Sequence, residues 1–155
     1  MNGWNRLGVV SVGIILAVSS TSARQQKKMD DEAAVRDAVK LYVDARERGD
    51  ATALNGLFTA DADQLVSSGE WRRGRDELVR GTLASSKSNA GTRTITLKTI
   101  RFPASDVAIA DGEYAIGASQ TSAARNMWTS FVLIRSDGRW RISAIRNMLP
   151  AAPGP

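Results

Sequence analysis

The 155-residue chain contains no cysteine and no histidine. Without cysteine there is no disulfide, no thiolate nucleophile, no thiolate-held zinc and no iron–sulfur cluster. Without histidine there is no Ser-His-Asp triad, no imidazole base and no imidazole metal site. Acid–base chemistry is left to Asp, Glu, Tyr, Lys or water. Proline is also scarce: three of the four prolines fall in the tail, Leu149 to Pro155. The apolar run from Leu7 to Val18 has 12 residues, short of the ~20 that a transmembrane helix needs.

What is present describes one soluble domain. Hydrophobic residues make up 43% and charged residues 24%, enough for a real core at this length. The net charge of +5 is scattered, with acidic residues close to many basic ones. Arg72, Arg73 and Arg75 form the one dense basic run, and Asp76 and Glu77 follow it directly. This pattern reads as a solvated surface rather than a nucleic-acid site.

Residues 1–23 carry Arg6, the short apolar run and a small-residue end, Ser19 to Ala23. These are the three parts of a secretory signal peptide, with cleavage near Ala23. An uncleaved N-terminal anchor is the other reading of the same segment. After cleavage the protein is expected to be exported, periplasmic or secreted, with no stable membrane association. Residues 24–29 are expected as a disordered lead-in, 30–149 as the domain and 150–155 as a tail.

Within the domain, Asp30 or Asp31 suits the start of a helix. Val35, Ala38, Val39, Tyr42 and Val43 recur at helical spacing and mark its buried face. Gly49 ends the helix, and Asp50 caps a short second one over Ala51 to Phe58. Thr59 to Asp63 reads as a turn, Gln64 to Ser67 as a short strand and Trp71 to Arg73 as another. A third helix follows, from about Arg75 to Ser86. Thr92 to Phe102 reads as a long strand whose apolar residues change parity between Leu97 and Ile100. A β-bulge near Lys98 to Thr99 would return them to one face. Asp106 to Ile109 reads as a strand, Asp111-Gly112 as a turn and Glu113 to Gln120 as the return.

The clearest element comes last. Two β-rich runs, Trp128 to Arg135 and Arg139 to Arg146, flank Asp137-Gly138, the composition of a tight hairpin. The first run is apolar on both faces, as in a central strand. In the second, Trp140 and Ile142 share one face, with Arg139, Arg141 and Ser143 on the other. The order predicts an α+β fold, with helices covering one face of a bent, cone-shaped antiparallel sheet. A small ligand would sit at the wide end of the cone.

Several segments resemble the nuclear transport factor 2-like (NTF2-like, cystatin-like) superfamily, and within it the SnoaL-like and DUF4440 (SgcJ/EcaC-like) group. They are Tyr42-Val43 with Arg48-Gly49-Asp50, then Leu57 to Ala62, Gly74 to Leu78 and Asp137 to Ile142. The resemblance implies a homodimer whose cone holds a small hydrophobic or aromatic molecule. It also implies cofactor-independent isomerase, hydrolase or oxidoreductase-like activity, with no metal and no cofactor. A non-catalytic dimerisation or binding module is the alternative. By likeness to ketosteroid isomerase, Tyr42 stands at the oxyanion tyrosine. The base position falls near Val66 and the acid position near Thr129 or Ser130, so both have lost their chemistry.

The candidate catalytic residues are Tyr42, to polarise a ligand oxygen, and Asp63, at the entry to the first strand beside Asp61, to relay a proton. Tyr42 also reads as a core aromatic, and Asp63 as a turn residue. Trp71, Tyr114 and Trp128 are candidate pocket walls. Ser130 is a candidate ligand contact, and Arg146 a candidate clamp for a carboxylate. Broad apolar positions such as Ile116, Phe131, Leu133 and Ile142 would equally serve a partner subunit.

Overall fold

The computed structural model describes residues 13–88, 91–120 and 122–151. It divides into two units, Met1–Ala33 and Ala34–Pro155. In the first, residues 13–33 are the N-terminal part of helix α1, Gly13–Glu47. Residues 24–29, expected without fixed structure, are helical. Pairs four residues apart support them: Gln26 Nε2 donates to Asp30 at 2.8 Å, and Lys27 meets Asp31 at 3.1 Å. Each such pair contributes about 0.3–0.5 kcal/mol. Residues 1–12 of the expected signal peptide lie outside the described residues. Among those described, no helix is long and apolar enough to cross a membrane.

In the second unit, α1 buries Val35, Ala38, Val39, Tyr42, Ala45 and Arg46. These positions lie three and four apart on one stripe. Asp50 caps α2, Ala51–Leu57, by accepting from the Ala53 N–H at 2.9 Å. The chain then enters β1, Phe58–Leu65, with no intervening turn. The turn expected at Thr59 to Asp63 is therefore strand. β1 pairs in parallel with β6, Arg139–Met148, at Phe58 (with Ile142) and again from Asp63 (with Ala144), with an irregularity between the two.

A short β2, Trp71–Arg73, pairs with β1, and α3 runs over Arg75–Ser88. Three long strands complete the sheet: β3, Arg93–Ala104; β4, Val107–Ile116; and β5, Arg125–Ser136. The order is β2-β1-β6-β5-β4-β3, antiparallel except for β1 with β6. The fold is thus α+β, a curved six-stranded sheet with N-terminal helices.

Two sequence features explain the curvature. The β3–β4 register shifts between Leu97 and Thr99, where the parity change predicted a bulge. Ile95, Leu97, Ile100 and Phe102 consequently all pack against the core. The second feature corrects an expectation. Asp111 and Gly112 form no turn; they lie in mid-β4 opposite this bulge, Gly112 facing Leu97. A Cβ on Gly112 would come 2.9 Å from Leu97 Cα, so only glycine permits the approach. Asp111 meanwhile accepts from the hydroxyls of Ser130 and Thr99.

The β5–β6 hairpin closes as predicted. Asp137 and Gly138 both have positive φ, 53° and 72°, the conformation of a type I′ turn. Further along, Val132 pairs with Ala144 but Leu133 with Ile142, leaving Ser143 as the extra residue. Ile142 and Ile145, three apart, are therefore both buried. The inner face of the sheet presents Phe58, Phe131, Leu133, Ile142 and Ile145, all fully buried. Tyr42 packs edge-on against Phe58 and Phe131, with ring centroids 6.0 and 5.8 Å away. Burial of each such side chain contributes about 1.5–3 kcal/mol.

Candidate functional site

Beyond Tyr42 the interior changes character. One helical turn on, Arg46 occupies the same stripe of α1 and is 6% exposed. Its Nη1 donates to the hydroxyl oxygens of Tyr114 on β4 (2.9 Å) and Tyr42 (3.2 Å), and its Nε donates to Ser86 Oγ on α3 at 2.9 Å. Arg46 and Tyr114 border a cavity of about 220 Å³, whose wall also includes Gln64, Val66, Arg72, Arg93 and Met127. Seven elements contribute to it, so the site exists only when the sheet has curved around the end of α1.

Arginine dominates this wall. Arg72 and Arg93 are as buried as Arg46. Arg72 grips Glu70 with Nε (2.7 Å) and Nη2 (3.4 Å), and donates to Gln64 Oε1 at 3.3 Å and Ser85 Oγ at 2.8 Å. Arg93 meets Glu47 at 3.0 Å. The hydrogen bond from Arg72 holds the Glu70 carboxyl below its ordinary value. Burial pushes the Tyr114 phenol above its ordinary value, against the pull of Arg46 and Arg93, so it is a neutral hydrogen-bonding group. Burial opposes the charge on Arg46, but the oxygens of Tyr42 and Tyr114, with a smaller contribution from the Glu47 carboxylate, outweigh it and hold the guanidinium above its ordinary value. Among the described residues, no group of three or more Asp or Glu side chains is arranged to hold a metal ion.

Of the seven residues proposed from the sequence, only Tyr114 borders this cavity. Tyr42 lies just behind it, in the core, with Arg46 on its hydroxyl. Asp63, Trp71 and Arg146 are brought together, but on the outer face of the sheet. Arg146 binds Asp63 through two hydrogen bonds of 2.8 and 3.1 Å and lies 4.8 Å over the Trp71 ring. Its guanidinium is thus already occupied by a carboxylate of the same chain. The reason is strand parity. The extra residue at Ser143 sends Ile145 and Asn147 inward and Arg146 outward.

Ser130 and Trp128 also face outward, because their neighbours Met127, Thr129 and Phe131 take the inner face. Ser130 donates to Asp111 there. Thr129 is the inward member of the pair and donates to Asn147 Oδ1 at 2.8 Å. Trp128 borders a second, outer cavity of about 440 Å³ with Thr94, Thr96, Glu113 and Asn126, and Tyr114 touches both cavities. Asp61 is exposed.

The residues that sequence reading missed are Arg46, Gln64, Arg72 and Arg93. The basic run at Arg72 to Arg75 is not uniformly solvated: Arg72 alternates inward between exposed Trp71 and Arg73. One signal for Arg46 was present, its position four residues after Tyr42 on the buried stripe.

The fold is the NTF2-like, cystatin-like one. A ketosteroid isomerase-like protein from Erwinia carotovora atroseptica matches with a TM-score of 0.64 at 18% identity, over 77% of this chain and 96% of that one. An NTF2-like protein with a cystatin-like fold from Novosphingobium aromaticivorans matches at 0.69 and 20% identity, over 84% and 88%. A cystatin-like domain from Nostoc punctiforme matches at 0.68 and 23% identity, over 80% of each chain. At these identities the likeness concerns the fold. Residues 30–144 match the family described as "Putative lumazine-binding", and the chain belongs to that family. None of the curated proteins compared matches it.

Proposed function

We propose that this protein is an exported, homodimeric small-molecule binder that holds a flat, polar heterocycle or aromatic compound in the inner cavity. The observation that carries the reading is the cavity itself, where hydrogen-bonding groups from α1, α3 and five strands converge around apolar Val66, Ile116 and Met127. The family description points to lumazine-like heterocycles as the class to test. The fit is to a more polar ligand than the hydrophobic one expected from the sequence. The narrower likeness to the SnoaL-like/DUF4440 group rests on the four sequence segments.

Binding is favoured over catalysis. Val66, at the position the resemblance gives to the base, borders the cavity and carries no titratable group. The carboxylate in the wall, Glu70, is engaged by Arg72. Dimerisation is supported by the outer face, where Trp71, Trp128 and Met148 stay 39%, 47% and 45% exposed.

Calorimetric titration of lumazine into the full chain tests the binding reading. One site per chain is expected, and Gln64→Leu should weaken it by roughly tenfold through a lost buried hydrogen bond. Absence of binding by lumazine and related heterocycles would reject this class. Sedimentation tests the dimer, which Trp128→Glu should dissociate.

A further inference from the structure

We infer that the inner cavity receives its ligand by a carboxylate group, anchored on Arg46 and Tyr114; this rests on the reading of that cavity as the ligand site.

The charges in the cavity wall are unbalanced. The cavity wall holds four arginines, Arg46, Arg72, Arg93 and Arg125. Arg72 is neutralised by Glu70 and Arg93 by Glu47. Arg125 is exposed, donates to Ser67 Oγ at 3.1 Å and is free to be solvated. Arg46 is different. It is buried, and its three hydrogen bonds all go to neutral hydroxyl oxygens, those of Tyr42, Ser86 and Tyr114. Among the described residues it forms no ion pair. A buried charge is normally paired, because neutral acceptors return only part of the hydration it has lost.

The hydrogen-bond inventory has the same asymmetry. Arg46 Nη2 donates to no group among the described residues. Tyr42 and Tyr114 accept from Arg46 through their oxygens, which leaves each O–H free to donate, and neither has an acceptor among the described residues. The spare capacity around Arg46 is therefore all donor, and what it lacks is an acceptor with negative charge. A carboxylate accepts only, offers two oxygens with about four lone-pair sites, and matches the planar fork of a guanidinium. Behind the charged end, Ile116 and Met127 in the same wall suit an apolar or aromatic body. A cavity of about 220 Å³ lies below the ~300–1,000 Å³ typical of drug-sized ligands, so the acid is a small one.

The test uses matched probes on the full chain at fixed ionic strength: benzoate, its neutral isostere benzamide, and inorganic phosphate, each titrated calorimetrically. Benzoate should bind roughly tenfold to a hundredfold more tightly than benzamide, as expected for charge-assisted hydrogen bonds. Arg46→Gln should erase that preference, and Arg46→Lys should restore part of it. Tyr114→Phe, which removes one hydroxyl and leaves the charge, should weaken benzoate by a smaller factor and guards against misfolding of the Arg46 variants. Equal binding of benzoate and benzamide, or a preference that survives Arg46→Gln, overturns the inference. Phosphate binding without benzoate binding overturns it as well. If no anion binds but lumazine does, the carboxylate anchor fails while the cavity reading stands. If the anions bind and lumazine does not, the heterocycle class fails and the anchor stands.

Discussion

Arg146, on β6, and Arg46, on α1, lie on opposite sides of the same curved sheet, and their partners are of opposite kinds. On the outer face, Arg146 takes both oxygens of Asp63 and covers the Trp71 ring. On the inner side, Arg46 donates to hydroxyls alone, and the nearby Glu47 carboxylate is paired with Arg93. The outer pair is complete, so its role is to organise the surface and the strands β1, β2 and β6. The inner cation is incomplete, so its environment has capacity for something else. Arginine content alone would have ranked the two alike, or preferred the more accessible one.

The largest effect that separates the faces is expected in the core. Phe131→Ala, on the inner face, should cost about 3–5 kcal/mol in urea unfolding. The adjacent outer-face change Val132→Ala should stay below about 1 kcal/mol. Similar losses at both positions would mean that the outer face is as tightly packed as the inner one. A smaller effect is expected at the completed pair. Asp63→Asn should lower stability by about 0–1 kcal/mol, because both side chains are about a third exposed.

The smallest effect concerns pH. The Glu70 carboxyl is held below its ordinary value by the hydrogen bond from Arg72. Its contribution to stability is therefore complete above the unfolded-state carboxyl value and is lost as pH falls through the lowered folded-state value. Glu70 is more than half exposed, so the change is slight. Comparing urea midpoints of wild type and Glu70→Gln from neutral to acid pH should show the wild-type advantage shrinking on acidification. An advantage that grows instead would reverse the sign of the coupling.

Much of the fold was readable because local chemistry and tertiary demand agreed. The buried stripe of α1 follows from apolar spacing, and the β5–β6 turn from Asp137-Gly138. The bulge in β3 follows from a parity change that no regular strand could bury. Where composition and pairing disagreed, pairing prevailed. Thr59 to Asp63 has the polar, short-chain look of a turn, yet it is strand, held to β6 at its two ends by Phe58 and Asp63. Asp111-Gly112 repeats the dipeptide of the true hairpin, but here glycine is needed for close approach to Leu97, and aspartate for the hydroxyls of Thr99 and Ser130.

The site was less readable, because a side chain's face depends on every bulge between it and the rest of its strand. Tyr114 was singled out and borders both cavities. Arg146, Trp128 and Ser130 were also singled out, but the register of β5 and the extra residue in β6 put them outside. Arg72 looked like one more surface charge in a basic run, and its alternation with Trp71 and Arg73 mattered only once β2 had a partner.

Residue pattern alone thus dictated the class of fold, its helical stripe, its hairpin and its β3 bulge, since these rest on periodicity and turn chemistry within a few residues. Packing in three dimensions settled which arginines are neutralised and which one is not. Burial and charge pairing depend on residues distant in the chain: Arg46 meets Tyr114 across 68 positions, and Arg146 meets Asp63 across 83.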